Sequence, residues 1–160
     1  MYKKLTALAL CLLVPLTAWA EEEFLKPDQA FAISARAVDS GQVRINWQIA
    51  DGYYLYQSKF RFLSDTPGVE LGDPDLPPSI SYNDPIFGEV QIYRDQVTIE
   101  VPVAAMPANL DILPLKARSQ GCAEDGICYP PIRKDLRVDM SDSQGAFGGT
   151  GSEPVSEQDR

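Results

Sequence analysis

Ala30 to Ile49, AFAISARAVDSGQVRINWQI, carries the pattern that decides the fold. Phe31, Ile33, Ala35 and Ala37 recur at every second position, and so do Val43, Ile45, Trp47 and Ile49. Strict alternation of this kind is the mark of strands with one buried face. Asp39-Ser-Gly-Gln42 between the two runs supplies the small, polar residues of a turn, so the pair reads as a β-hairpin with Trp47 in its core.

Working outward, the same grammar continues. Asp51-Gly52 is a turn, and Tyr53 to Leu63 reads as a third strand, with Leu55 and Tyr56 on opposite faces. Val69 to Leu71 is a short strand, and Gly72 to Pro85, with four prolines, is a long irregular segment. Ordered loops of that length tend to be functional. Val90 to Tyr93 and Gln96 to Val103 are strands around a turn at Arg94-Asp95, followed by strands at Leu110 to Arg118 and Ile132 to Met140. Residues 21–29 form an irregular lead-in, and helical periodicity is nowhere evident. Seven or eight short strands in roughly 120 residues predict an all-β fold, an antiparallel β-sandwich of immunoglobulin-like type.

The two ends differ from this body. MYKKLTALALCLLVPLTAWA has a positive start, a short apolar run and an Ala18-Trp19-Ala20 cleavage pattern, so residues 1–20 read as a secretory signal peptide. A spanning helix needs about 20 apolar residues, and Glu21-Glu22-Glu23 ends the run too soon. From Ser141 the chain turns to Gly, Ser and acidic residues, and 141–160 reads as a flexible tail or linker.

The net charge of −9 argues against nucleic acid, whose phosphates such a chain repels. The chain has three cysteines, and removing the leader with Cys11 leaves Cys122 and Cys128, an even number in an oxidising compartment. Histidine is absent, which excludes the usual Ser-His-Asp and Cys-His catalysis. Two thiols cannot complete a tetrahedral metal site, and neither a metal nor another cofactor is implied.

In QGCAEDGICYPP the two cysteines lie close together, so a bridge between them is not the long-range inter-sheet disulfide of immunoglobulin domains. Closing so short a loop removes about 2.4 kcal/mol of unfolded-state entropy, against about 4.7 for a hundred-residue loop. Spacing alone leaves open a structural bridge, the commoner use in secreted proteins, and a redox pair. Gly121 and Gly126 bracket the loop and permit sharp turning and close approach by another chain. Glu124 and Asp125 place negative charge beside the thiols, which disfavours thiolate. Tyr129-Pro130-Pro131 stiffens the exit and withholds backbone donors.

GCAEDGICYPP resembles the active-site stretch of the amino-terminal periplasmic domain of the DsbD thiol:disulfide interchange family. DGYYLYQSKFRF at Asp51 to Phe62 and DPIFGEVQIYRDQV at Asp84 to Val97 resemble two further segments of that domain, in the same order. The resemblance implies that residues 21–140 are an immunoglobulin-like redox domain, monomeric and periplasmic, within or derived from an inner-membrane protein. It implies electron transfer from membrane-side modules of the same protein to periplasmic thioredoxin-fold proteins, a disulfide isomerase and a reductant of cytochrome c maturation among them.

Carried over by position, Cys128 would form the mixed disulfide with a partner and Cys122 would resolve it. Asp84, Pro85, Ile86, Phe87 and Gly88 match a cap loop over the pair, and Tyr54 and Tyr56 match tyrosines packed near it. Several relatives place two adjacent aromatics in the cap. Here Ile86 stands in one of those places and covers less area, while Pro85 narrows the loop's conformations. The contrasting reading from the residues alone is a secreted β-sandwich binding or chaperone module whose local disulfide only shapes a loop. In that reading Ile86 and Phe87 are ordinary loop anchors, and Tyr53, Tyr54 and Tyr56 are half-buried strand aromatics.

Overall fold

The computed structural model describes residues 24–141. The leader at 1–20 and the tail beyond Ser141 lie outside the described residues. A single helical turn, α1 (Pro27–Ala30), leads into the strands. They are β1 (Phe31–Asp39), β2 (Gln42–Ile49), β3 (Tyr53–Tyr56), β4 (Arg61–Leu63), β5 (Glu70–Leu71), β6 (Ile80–Asp84), β7 (Gly88–Tyr93), β8 (Gln96–Ala105), β9 (Ile112–Ser119), β10 (Gly121–Ala123) and β11 (Ile132–Asp139).

Every ladder is antiparallel, in the orders β1-β2-β8-β5, β11-β9-β4 and β10-β3-β7-β6. The β1-β2 hairpin forms as the alternation predicts, with Ile33 opposite Trp47 and Ala35 opposite Ile45. Trp47, Ile45, Ile99 and Val101 join Leu113, Leu115 and Val138 in one buried cluster, which gives the immunoglobulin-like sandwich its core. Burying a side chain of this size contributes roughly 1.5–3 kcal/mol.

Two of the stretches that differ from their sequence reading build the site. Tyr53 to Leu63 is not one strand: a 3₁₀ turn at Gln57–Lys59 divides it, so β3 joins β10 and β7 while β4 joins β9. All four residues of β3 are buried. Tyr53 and Leu55 enter the main core, whereas Tyr54 and Tyr56 form a second cluster with Ile92 and Cys122. A strand covered on both faces loses its polar alternation, which conceals where it stops.

The second stretch is Gly72 to Pro85, whose last part forms β6 and pairs with β7 through a turn at Asp84–Gly88. β6 is the edge of its sheet and largely exposed, a place where a proline-flanked, polar strand is tolerated. The lead-in read as irregular contains the short α1 turn, with Pro27 at its start, where the missing N–H is harmless.

Candidate functional site

The site lies on the face of the β10-β3-β7-β6 sheet that points away from the main core. Cys122 belongs to β10, opposite Tyr54 of β3. That pairing needs Gly121: a Cβ there would stand 2.1 Å from the Tyr54 carbonyl oxygen and 2.9 Å from the Phe31 ring. The close approach is thus to the domain's own β3 and core. After Ala123 the chain turns back through Gly126, whose φ of +101° suits glycine, and Cys128 returns to bridge Cys122. Cys122 and Cys128 form a disulfide. Its two ends differ sharply, because Cys122 is fully buried and Cys128 is exposed.

Beneath Cys122 sits a buried carboxylate. Asp84 is 3% exposed and accepts four hydrogen bonds. Its Oδ2 takes the Tyr56 hydroxyl at 2.6 Å and the Tyr54 hydroxyl at 2.8 Å. Its Oδ1 takes the backbone N–H groups of Ile86 at 2.8 Å and Phe87 at 2.9 Å. The Tyr56 oxygen also lies 3.1 Å from Cys122 Sγ. One side chain therefore ties the loop at 84–88 to the tyrosine that touches the sulfur.

The electrostatics follow from this geometry. Burial pushes the Asp84 carboxyl up, but the bonds from Tyr56, Phe87, Ile86 and Tyr54 outweigh it and hold the group below the usual carboxylate range. Burial, then the bond to Asp84, pushes Tyr54 up to about 12. Burial and the same carboxylate also raise Tyr56. Asp84 is an anion with its lone pairs engaged, and the two tyrosines are neutral donors.

The loop at 84–88 packs on Tyr56, the tyrosine that touches Cys122 Sγ. The Phe87 ring meets Tyr56 edge-on at 5.6 Å, and the Lys59 ammonium stands 5.5 Å from the Phe87 centroid. Ile86 is 64% exposed and Phe87 53%, so Phe87 supplies the ring that meets Tyr56 while Ile86 faces outward more fully. Pro85 is exposed, and Gly88 closes the turn with φ +72°. Glu124 and Asp125 are both exposed on the cysteine loop, and Glu124 pairs with Arg94.

Lys59, Tyr82 and Arg94 are site residues that sequence reasoning missed. The Arg94 guanidinium lies 5.6 Å from the Tyr54 ring and 5.3 Å from the Tyr82 ring. The sequence places Arg94 in a turn, and Asp95 beside it does take φ +60°. The available signal was its place within the DPIFGEVQIYRDQV segment.

An immunoglobulin-like sandwich with a short-loop disulfide, one sulfur buried on a tyrosine and the other end open, defines a disulfide-bearing domain of the thiol:disulfide interchange class. The chain belongs to the family described as "Thiol:disulfide interchange protein DsbD, N-terminal", whose model matches residues 21–140. It is 38% identical over 138 residues to thiol:disulfide interchange protein DsbD 2 of Pseudomonas aeruginosa, covering 86% of this chain and 22% of that protein. It is 41% identical over 109 residues to DsbD of Haemophilus ducreyi, covering 68% of this chain and 18% of that one. The chain thus spans about a fifth of the length of these relatives.

Among solved structures, it is similar to the reduced DsbD amino-terminal domain of Neisseria meningitidis, with a TM-score of 0.63 and 34% identity over 72% of this chain and 89% of that one. A complex between the DsbD and PilB amino-terminal domains from the same organism gives a TM-score of 0.59 and 31% identity, over 72% of this chain and 87% of that one.

Proposed function

We propose that residues 21–140 form a periplasmic thiol–disulfide exchange domain that relays electrons through Cys122 and Cys128. The donors are membrane-side modules of a longer DsbD-type protein, and the acceptors are periplasmic thioredoxin-fold proteins, including a disulfide isomerase and a cytochrome c maturation reductant. The observation that carries this reading is the asymmetry of the bridge: Cys128 is open to a partner, while Cys122 is buried on Tyr56. The Neisseria DsbD amino-terminal domain in complex with the PilB amino-terminal domain supports a docking role for a domain of this kind.

Two electrons and two protons convert the bridge to two thiols. The Cys128 thiolate then attacks one sulfur of a partner's disulfide, and the partner's other sulfur leaves as thiolate. The Cys122 thiolate next attacks Cys128 Sγ, the partner's bonded sulfur leaves as thiolate, and the bridge is restored. The Asp84 charge near Cys122 disfavours a thiolate there, so the reduced pair stays quiet until docking moves the 84–88 loop.

The test equilibrates residues 21–140 with glutathione and dithiothreitol buffers and counts free thiols. Reversible reduction with the fold retained is expected, and Cys122→Ala should trap a disulfide-bonded thioredoxin-fold partner through Cys128, the partner's other sulfur leaving as thiolate, while Cys128→Ala should not. Reduction that unfolds the domain would instead establish the structural disulfide of a binding module.

A further inference from the structure

Arg94 joins the two halves of the site. It leaves the end of β7, lies against the rings of Tyr54 on β3 and Tyr82 on β6, and pairs with Glu124. Glu124 sits inside the loop that runs from Cys122 to Cys128. The Glu124 backbone N–H also bonds the Gly52 carbonyl at 2.8 Å, so this residue ties the loop to the turn before β3 as well as to Arg94. The Tyr54 ring under Arg94 belongs to the same tyrosine whose hydroxyl bonds Asp84.

We propose that Arg94 is a positioning residue for the resolving step: it holds the Cys122–Cys128 loop folded when the covalent bridge is open. This rests on the exchange function proposed above. The disulfide requires the folded loop, and the Arg94–Glu124 pair favours that same loop shape. Two constraints that select one conformation reinforce each other, so the pair raises the effective concentration of one cysteine at the other. Arginine suits this role because its planar group stacks on aromatic rings while bonding a carboxylate. In the mixed disulfide, with Cys128 bonded to a partner, the same clamp keeps Cys122 within reach of Cys128 Sγ.

Exposed ion pairs and cation–π contacts are each worth up to about 1 kcal/mol, so removing the clamp should weaken disulfide formation by about two- to tenfold. The experiment measures the equilibrium of the Cys122–Cys128 couple against glutathione, and the lifetime of the mixed disulfide between Cys128 and glutathione, a monothiol that only Cys122 can expel intramolecularly, for wild type, Arg94→Gln, Glu124→Gln and the double variant.

The proposal expects both single variants to shift the couple toward the dithiol and to lengthen the mixed disulfide's lifetime, with the double variant no worse than Arg94→Gln. Arg94→Lys, which keeps the charge without the planar stack, should fall between wild type and Arg94→Gln. Glu124→Gln alters a side chain 43% exposed and serves if Arg94→Gln does not fold. A lowered melting temperature with an unshifted couple would mean a merely structural contact and overturn the proposal, as would additive effects in the double variant. If the wild-type domain itself shows no reversible couple, the exchange function falls first; if only the variants fail to shift, this inference alone falls.

Discussion

The Tyr56 hydroxyl oxygen lies 3.1 Å from Cys122 Sγ. Its single proton is directed to Asp84 Oδ2 at 2.6 Å, so the oxygen's lone pairs are what face the sulfur. A disulfide sulfur has no proton to offer them, whereas a Cys122 thiol can donate one. The contact therefore favours the reduced state.

Tyr56→Phe tests this directly. The ring contacts with Tyr54 and Phe87 remain, and only the hydroxyl is lost. The couple should shift toward the disulfide by about two- to fivefold, the worth of one weak hydrogen bond. Tyr54→Phe is the control, because it also removes one donor from Asp84 but no contact with sulfur among the described residues. Both variants should lose about 1–2 kcal/mol in urea unfolding. Equal redox shifts in the two would show that the sulfur contact carries no weight.

Asp84 makes stability depend on acid. Its folded-state pKa is depressed, so its contribution is present above the unfolded carboxylate pKa of about 3.9 and is lost as pH falls through the folded value. Wild type should hold its stability from neutral pH down to about 4 and weaken below that. Asp84→Asn should start lower by about 1–3 kcal/mol at neutral pH, since an amide cannot accept all four donors. Its curve should also be flatter below pH 4. Urea midpoints between pH 7 and pH 2.5 check both features, and parallel acid limbs would place the titration elsewhere.

Gly121 is the tightest point of the site. An added methyl would meet the Tyr54 carbonyl oxygen, Leu55 Cδ2 and Phe31 Cζ, and the first of these is backbone that cannot rotate away. Gly121→Ala should cost about 1–3 kcal/mol or more and disturb the β10-β3 pairing that carries Cys122. Gly41→Ala, where the nearest atom is the Asp39 side chain at 3.6 Å, should stay within about 0.5 kcal/mol of wild type. Urea unfolding separates the two.

These residues also show what a sequence can reveal. The β1-β2 hairpin is legible because one face is core and the other is solvent, so hydrophobicity alternates. β3 is not, because Tyr53 and Leu55 serve the main core while Tyr54 and Tyr56 serve the site. Asp84 stands out through the cap-loop resemblance, but its role as the shared acceptor depends on partners 28 and 30 residues away in sequence. The Arg94–Glu124 pair likewise exists only once β7 and the cysteine loop are side by side. Local pattern records which face is buried, and it does not record which distant polar group meets which.

Phe87 should control access to the bridge. Its ring packs edge-on against Tyr56 and under the Lys59 ammonium, while its backbone N–H bonds Asp84. Phe87→Ala keeps the backbone bond and removes both ring contacts. An aromatic pair is worth about 0.5–1.5 kcal/mol and an exposed cation–π contact about 0.5–1, so the open loop should become about tenfold more populated. Reduction of Cys122–Cys128 by dithiothreitol should accelerate by the same factor if attack requires opening. Lys59→Gln removes the cation alone and should give about two- to fivefold. Because the Phe87 side chain is more than half exposed, global stability should change little, which separates gating from unfolding. Reduction rates identical in wild type and Phe87→Ala would mean that the exposed Cys128 sulfur is attacked without any movement of the loop.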